Sequence, residues 1–375
     1  MPPLCENQSL HTQSNFRLLV VRLGAMGDIL HALPAVTALR RAHPDWTIDW
    51  VVDPRWRALL TVESRDPGSG TQGQGSYGSA GREPAQPLVD HIHFAAAKKW
   101  GRSPLSHATI SEINALRRSL RAVDYDAVID MQGAVRSAAV ARLAGCPRVI
   151  GESDPREGAA RWLFTERVLT HGVHVIEQDV ELAAAVAGDA LTAEKPLLPV
   201  DPAAEMWCGQ VLAASPASAV LLNPGAGWGA KRWPPERYGT VAQALIERGC
   251  GVLINTGPEE EPLAQVIVRA TGGAARLLTP SLDQLIALTR RVALCIAGDS
   301  GPLHLACALG RPVVGIYGPT DPGRNGPFGT RSRVLRSPLS RRDHTRRAQP
   351  ESGLLTIQPE EVLRAADELL AGEDA

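Results

Sequence analysis

Short apolar runs alternate in the first part of the chain with stretches whose apolar residues recur at helical spacing. The run at 16–23 (FRLLVVRL) is typical of a buried strand, and Ile29, Leu33 and Val36 follow it on one helix face. Pro34 falls within that stretch, and the pattern leaves open whether it begins the helix or kinks it. Strands alternating with helices indicate a parallel sheet with crossover helices. Further strands are predicted at 47–52, 127–130 and 148–151, and further helices at 108–123 and 134–143.

The same alternation restarts after residue 218. A last amphipathic helix is predicted at 359–370. The pattern therefore predicts an α/β fold with two doubly wound domains, whose ligands bind at the carboxyl ends of the strands. The strands predicted in this part are 219–222, 251–255, 292–297 and 312–317, and the helices are 235–247, 263–270, 282–290 and 302–308.

Two segments interrupt the pattern and mark boundaries. Segment 64–87 is rich in Gly, Ser and Gln, which predicts a disordered surface insertion, with a functional lid as the alternative. Segment 194–203 (EKPLLPVDPA) contains three prolines and no clear periodicity, which indicates a linker. The predicted units are a flexible N-terminus (1–15), an N-terminal domain (16–193), a C-terminal domain (204–350) and a C-terminal helical segment (351–375).

Composition narrows the class of protein. The 375 residues are 44% hydrophobic and 21% charged with a net charge of −1, which argues against a general nucleic-acid binder. The six cysteines are scattered singly, without a CxxC pair, which favours a reducing cytoplasm over a disulfide framework or a zinc site. Residues 1–15 lack a signal pattern, and no apolar run approaches the ~20 residues of a membrane span. We expect a soluble protein that can still touch a membrane surface.

The most informative stretch is Gly298-Asp-Ser-Gly-Pro-Leu-His304, which follows the predicted strand 292–297. Ser300 suits the cap of the next helix, Gly301 allows a ligand to approach the backbone, and Pro302 fits the first turn. Such a helix N-terminus is a phosphate site or, alternatively, an ordinary capped helix. A second Gly-Asp turn, at 24–28, favours two sites facing one cleft.

Other candidate side chains also follow predicted strands. Asp28 stands where catalytic groups are found in open α/β sheets, although it could simply cap its helix, and His31 is interpreted as its neighbour. The Gly-rich loop 223–233 carries Lys231, which suits a diphosphate but lacks P-loop spacing. Among the glutamates at 259–261, a carboxylate could bind ribose hydroxyls or merely favour the helix dipole. No GxGxxG opens the first βαβ unit, which argues against a dinucleotide-dependent dehydrogenase.

Several of these motifs together resemble glycosyltransferase family 9, over about residues 16–330. Within that family, segments 48–52 (IDWVV) and 98–102 (KKWGR) and the pair Arg156-Glu157 favour the members that add the first heptose. The motifs that carry the resemblance are RLGAMGDILHALPA (22–35), DMQG (130–133), PGA (224–226), KRWP (231–234), GPE (257–259), GDSGPLH (298–304) and YGPTDP (317–322).

The resemblance implies a GT-B fold, two Rossmann-like domains around a cleft, and transfer that inverts the anomeric carbon without a metal or other cofactor. The implied donor is ADP-L-glycero-β-D-manno-heptose. The implied acceptor is a Kdo residue on lipid A, at the cytoplasmic face of the inner membrane. Nucleic acid is not among the expected partners, and no transmembrane segment is expected.

The resemblance also implies roles for individual residues. Asp28 matches the catalytic base. Ser300 stands where Thr is common, and Gly101 stands where some members carry a cation. The implied donor-binding residues are Lys231, Glu260, Asp299, Ser300, Gly301 and His304. The implied acceptor-binding residues are Lys98, Lys99, Arg102, Arg136, Arg142 and Arg156.

Three alternatives stay open at this point. A transferase of the second heptose, or a family member with another donor sugar, would carry much the same motifs. A nucleotide-sugar epimerase can share the GT-B architecture, although the turn at 24–28 and the stretch 298–304 argue against it. A catalytically silent binding protein is disfavoured because Asp28, Lys231 and Asp299 are all present.

Overall fold

The computed structural model describes residues 15–62, 76–77, 87–216, 218–257, 259–343 and 347–373. Nearly all of the predicted N-terminal tail and most of the predicted insertion 64–87 lie outside these residues. Ser76–Tyr77, within that insertion, forms a short antiparallel ladder with Pro199–Val200. This ladder joins the insertion to the segment between the two main sheets.

Among the described residues, six parallel strands form the sheet of the N-terminal half, in the order β3-β2-β1-β4-β5-β6. The strands are β1 Arg17–Val21, β2 Thr47–Val52, β3 His91–Phe94, β4 Ala127–Asp130, β5 Val149–Glu152 and β6 Glu166–Val168. The helices of this half are α1 Met26–Ala42, α2 Ala97–Trp100, α3 His107–Arg121, α4 Val135–Leu143 and α5 Val175–Ala187.

The C-terminal half repeats this topology. Within the described part of the chain, its six parallel strands lie in the order β9-β8-β7-β10-β11-β12. These strands are β7 Ala219–Asn223, β8 Gly251–Asn255, β9 Arg276–Leu278, β10 Leu294–Gly298, β11 Val313–Tyr317 and β12 Ser332–Arg336. The helices are α6 Pro202–Ala213, α7 Pro235–Glu247, α8 Glu261–Ala270, α9 Leu282–Thr289, α10 Gly301–Ala308, α11 Pro322–Asn325 and α12 Pro359–Leu370.

Both sheets therefore have the Rossmann strand order, which confirms the predicted α/β class. The central strands are buried on both faces, because helices cover each side of a parallel sheet. In β1, for example, Leu18, Leu19, Val20 and Val21 are all inaccessible to solvent. Of the described helices, none is long and apolar enough to cross a membrane.

The two halves meet where α1 packs against α10. Each of these helices starts directly after a central strand of its sheet, so their first turns lie at the carboxyl edges of both sheets. A Cβ on Gly27 would stand 2.7 Å from Cδ2 of His304, and a Cβ on Gly301 would stand 2.6 Å from Sδ of Met26. Glycine at both positions lets the two helices approach this closely, and the expected cleft therefore lies between two closely packed helix starts.

This contact predicts opposite effects for two helical glycines. Gly27→Ala should destabilise the protein by ~1–3 kcal/mol, because the added methyl overlaps a buried ring of the other half. Gly209→Ala in α6 is the matched control, since its Cβ would meet Arg291 only at 3.8 Å. Replacing a helical glycine that has room should stabilise by up to ~1 kcal/mol. Urea midpoints of the two variants measure this, and midpoints that rise in both would contradict the packing described.

Candidate active site

Asp28 lies in the first turn of α1, just after β1. One of its carboxylate oxygens accepts a hydrogen bond from the Ala25 amide at 2.9 Å, so the helix-capping contact is present. The guanidinium groups of Arg22 and Arg156 each approach the carboxylate to 4.0 Å, and the side chain is 35% exposed. Capping and catalysis are compatible here, because the carboxylate is held in place and still open to the cleft.

A cavity of about 100 Å³ opens beside Asp28. Three of the predicted acceptor-binding cations line it. They are Lys98 in α2, Arg136 in the first turn of α4, and Arg156 in the loop after β5. The structure thus groups the predicted base with three of the predicted cations, which come from three separate segments. The rest of the wall comprises Leu23, Gly24, Ala25, Asp53, Arg55, Trp56, Ala97 and Gln132.

The other three predicted cations are placed differently. Lys99 forms an ion pair with Glu112 on α3 at 2.7 Å. Arg102 and Arg142 are exposed and are not among the residues that line the cavity beside Asp28. The structure therefore brings half of the predicted acceptor-binding set together.

Two residues of the cavity were missed as candidates. Arg55 is held by Asp53 at 2.8 Å, in the turn directly after β2. Gln132 accepts a hydrogen bond from the Leu23 amide at 2.8 Å and so joins the ends of β4 and β1. Each had a signal in the sequence, because Arg55 follows a predicted strand and Gln132 lies within the DMQG motif.

A buried network lies beneath Asp28. Arg22, which is 4% exposed, stands between Asp28 and Asp179, whose carboxylate lies 3.9 Å from it. Burial raises the pKa of Asp179 to about 7, although Arg22 opposes the shift. Burial also raises the pKa of Asp130 to about 6, against hydrogen bonds from the Gln132 and Gly133 amides. Both buried carboxyls therefore bind a proton more readily than an exposed aspartate would.

The C-terminal half contributes a second group of charges. Asp299, directly after β10, is 5% exposed and contacts the Lys231 ammonium and Nε2 of His304, the latter at 3.1 Å. Burial alone would raise the pKa of Asp299, but the hydrogen bond from His304 and the charge of Lys231 hold it well below its usual range. The Lys231 ammonium also lies 4.1 Å from the ring centroid of Trp228. Asp299 therefore stays ionised and fixes both neighbouring side chains.

Ser300 caps α10 by position but not through its side chain. Its hydroxyl instead accepts a hydrogen bond from the Asn223 side chain at 3.3 Å, and Asn223 accepts one from Asn255 at 2.6 Å. These contacts tie together the carboxyl ends of three adjacent strands, β8, β7 and β10. The α10 N-terminus, including Gly301, is thus held at the sheet edge with amides suited to an anion.

Glu260 lies just before α8, at the same edge. Its carboxylate accepts a hydrogen bond from the Gly257 amide at 2.9 Å. A Cβ on Gly225 would overlap this carboxylate, so the Gly-rich loop after β7 passes directly against it. All six predicted donor-binding residues therefore come together along the carboxyl edge of one sheet.

Two Rossmann-like halves that meet at the carboxyl edges of their sheets have the architecture of GT-B glycosyltransferases. A family model described as glycosyltransferase family 9 (heptosyltransferase) matches residues 113–354, well over half of the chain. The chain belongs to glycosyltransferase family 9. This membership confirms the resemblance noted from the motifs and sets aside the epimerase alternative.

Known relatives support the assignment along almost the whole chain. Lipopolysaccharide heptosyltransferase 1 of Escherichia coli K12 is 29% identical over 86% of this chain and 94% of its own length. Lipopolysaccharide heptosyltransferase 2 of the same strain is 28% identical over 96% of this chain and 100% of its own. The solved structure of E. coli heptosyltransferase WaaC with ADP is 26% identical, with a TM-score of 0.74, over 94% of this chain and 100% of that one.

The raised pKa of Asp130 predicts a pH-dependent stability. An aspartate in an unfolded chain has a pKa of about 3.9, so between about pH 4 and 6 the folded protein holds a proton that the unfolded chain has lost. The stability contributed by the protonated carboxyl is therefore lost as pH rises through this window. Asp130→Asn cannot ionise and should gain ~2–3 kcal/mol over wild type between pH 4 and pH 7.5, at 1.36 kcal/mol for each pKa unit.

Urea unfolding at both pH values measures this gain. The side-chain amide of the variant adds a buried donor, whose energetic penalty does not depend on pH. The quantity to compare is therefore how the difference in unfolding free energy between Asp130→Asn and wild type changes between the two pH values. The exposed Asp189→Asn is the control. An offset from wild type that stays constant across pH would contradict the raised pKa.

Proposed function

We propose that this chain is an inverting, metal-independent heptosyltransferase of lipopolysaccharide inner-core synthesis. It would move L-glycero-D-manno-heptose from ADP-heptose to the Kdo residue of lipid A. The observation that carries the proposal is the position of Asp28. It shares a cavity with three cations on one side of the α1–α10 contact, and the proposed donor residues follow the strands of the sheet on the other side.

Asp28 supplies the base in this reaction. It takes the proton of the acceptor hydroxyl as that oxygen bonds to the anomeric carbon, on the face opposite the departing ADP. Lys98, Arg136 and Arg156 line the adjoining cavity and suit an acceptor that carries carboxylate and phosphate groups. Arg22 and Arg156 also keep the Asp28 carboxylate in one orientation.

The residues of the C-terminal half would bind the donor. Lys231 and the amides at the start of α10 stabilise the negative charge that develops on the leaving diphosphate. Asp299 holds the Lys231 ammonium in place, and Glu260 offers its carboxylate to the ribose hydroxyls. A relative supports the choice of donor, because WaaC was solved with ADP and with ADP-2-deoxy-2-fluoro heptose.

The same division supports the domain boundaries predicted from the sequence. Residues 16–193 would form the acceptor-binding unit and residues 204–350 the donor-binding unit, with 194–203 as the linker. Because the acceptor is a membrane lipid, we place the enzyme peripherally at the cytoplasmic face of the inner membrane. Its partners would be ADP-heptose and Kdo-lipid A, with no nucleic acid.

One alternative has an observation in its favour. Lipopolysaccharide heptosyltransferases 1 and 2 of E. coli K12 are 29% and 28% identical to this chain. The second-heptose reaction uses the same donor on a lipid that already carries one heptose. The acceptor therefore distinguishes the two functions.

Purified protein should transfer heptose from ADP-heptose to Kdo-lipid A in excess EDTA, because fixed cations and amides replace a metal at the leaving group. Mass spectrometry of the lipid measures the product. Asp28→Asn should lower the rate by ~10²–10⁴-fold and leave ADP binding nearly unchanged. A rate that returns only with Mg²⁺ or Mn²⁺ would contradict the proposed chemistry, and transfer only to a lipid that already carries heptose would establish the alternative.

Cavity geometry predicts which cations bind the acceptor. Arg136→Ala and Arg156→Ala should each raise the KM for Kdo-lipid A about tenfold, because a charged hydrogen bond is worth ~1.5–3 kcal/mol. The KM for the donor should not change. Arg142→Ala is the matched control on the same helix as Arg136, with its side chain exposed and outside the cavity. Equal effects of all three variants would place the acceptor elsewhere.

A further inference from the structure

A chain of polar contacts crosses the junction between the halves. His31, on α1, places Nε2 3.2 Å from Nδ1 of His304, on α10. The other ring nitrogen of His304 lies 3.1 Å from Asp299, whose second oxygen contacts Lys231. His31, His304 and Asp299 are all at least 94% buried, with exposures of 6%, 6% and 5%. A side chain of the N-terminal half therefore ends a hydrogen-bonded chain that begins at the proposed donor site.

The protons in this chain are constrained by chemistry. Asp299 is a carboxylate and can only accept, so Nε2 of His304 must carry a proton and donate it. This leaves Nδ1 of His304 to be satisfied by His31. If His31 presents N–H, His304 is neutral, and if His31 presents a lone pair, His304 carries both protons. In each case the hydrogen bond links the hydrogen that His31 presents to the state of Nδ1 of His304.

His31 itself stays uncharged. Burial, together with the neighbouring His304, His174 and Arg22, keeps the pKa of His31 well below its usual range, and only Asp299 opposes them. The ring of His174 stands edge-on to His31 at 5.7 Å, but its nitrogens are engaged elsewhere. One accepts from the Ile176 amide at 3.2 Å and the other donates to the Gly326 carbonyl at 3.1 Å. Of these two rings, His304 is the one that His31 contacts through a polar atom.

We propose that His31 is a positioning residue for the donor site, which orients His304 from the opposite half of the molecule through the hydrogen bond to its Nδ1. This inference rests on the proposed function for its kinetic consequence, though not for its structural one. Because Gly27 lets the His304 ring approach α1, the contact exists only while α1 and α10 stay packed. Donor binding and the packing of the two halves are then energetically coupled.

The structural part can be tested on the free protein by the ring ¹⁵N signals of His304, assigned through the spectrum of His304→Gln. Wild type should show a protonated Nε2 and a Nδ1 shifted by its hydrogen bond. His31→Leu should change the Nδ1 signal, and His31→Gln, whose amide is a neutral donor and acceptor, should restore it. Identical His304 signals in wild type and His31→Leu would overturn the proposal whatever reaction the enzyme performs.

The kinetic part uses the same variants with ADP-heptose and Kdo-lipid A. His31→Leu should raise the KM for ADP-heptose and the Kd for ADP roughly tenfold or more, since a buried partner is left unsatisfied. The KM for the acceptor should stay within twofold of wild type, and His31→Gln should recover most of the donor affinity.

His174→Leu is the matched control, because it removes a buried histidine and a hydrogen bond between the halves without touching the chain to Asp299. It should lower thermal stability while leaving the donor KM unchanged. If His174→Leu weakens the donor as much as His31→Leu does, or if Gln fails to rescue, His31 serves only the packing and the proposal is wrong. If no variant, wild type included, transfers heptose while ADP binding and the ¹⁵N signals behave as stated, the proposed reaction fails and the positioning role stands.

Discussion

The arrangement of the cleft depends on how closely the first turns of α1 and α10 approach each other. Each turn follows a central strand, so the distance between the helices sets the distance between the two sheet edges. Gly27 and Gly301 allow this approach, each against a side chain of the opposite helix. The catalytic carboxylate proposed at Asp28 and the buried carboxylate of Asp299 are thereby placed on two sides of one contact.

Elements buried on both faces could be predicted well from the sequence. The strands at 47–52 and 127–130 have the same bounds in the structure, because short segments rich in Ile and Val are typical of strands that a parallel sheet buries on both faces. The edge strand β3 (His91–Phe94) was missed, since its residues are half-buried or exposed and two of them are histidines. Pro34 lies inside α1, where nearly every neighbouring residue is buried. A proline there removes one backbone hydrogen bond of the helix, and the sequence does not say whether packing offsets that loss.

Some parts of the site could likewise be predicted from the sequence and others could not. The predicted donor-binding residues lie in motifs that follow strands, so the parallel topology places Asp299, Lys231 and Glu260 at one edge of the sheet. Cations on short helices and loops were harder to place from the sequence, because residue spacing does not indicate the direction of a side chain there. Lys98 and Lys99 are adjacent, yet Lys98 lines the cavity while Lys99 pairs with Glu112. The position of Arg55 depends on a turn after β2, and the apolar pattern does not describe turns.

The contact between Gly225 and the Glu260 carboxylate has a consequence for how such a site can be altered. The Gly-rich loop leaves no room for a side chain at that point, so the orientation of the carboxylate is encoded 35 residues before the carboxylate itself. Grafting a glutamate alone onto another scaffold would transfer its charge without its direction. A glutamate with this orientation can therefore be moved between related enzymes only together with its loop.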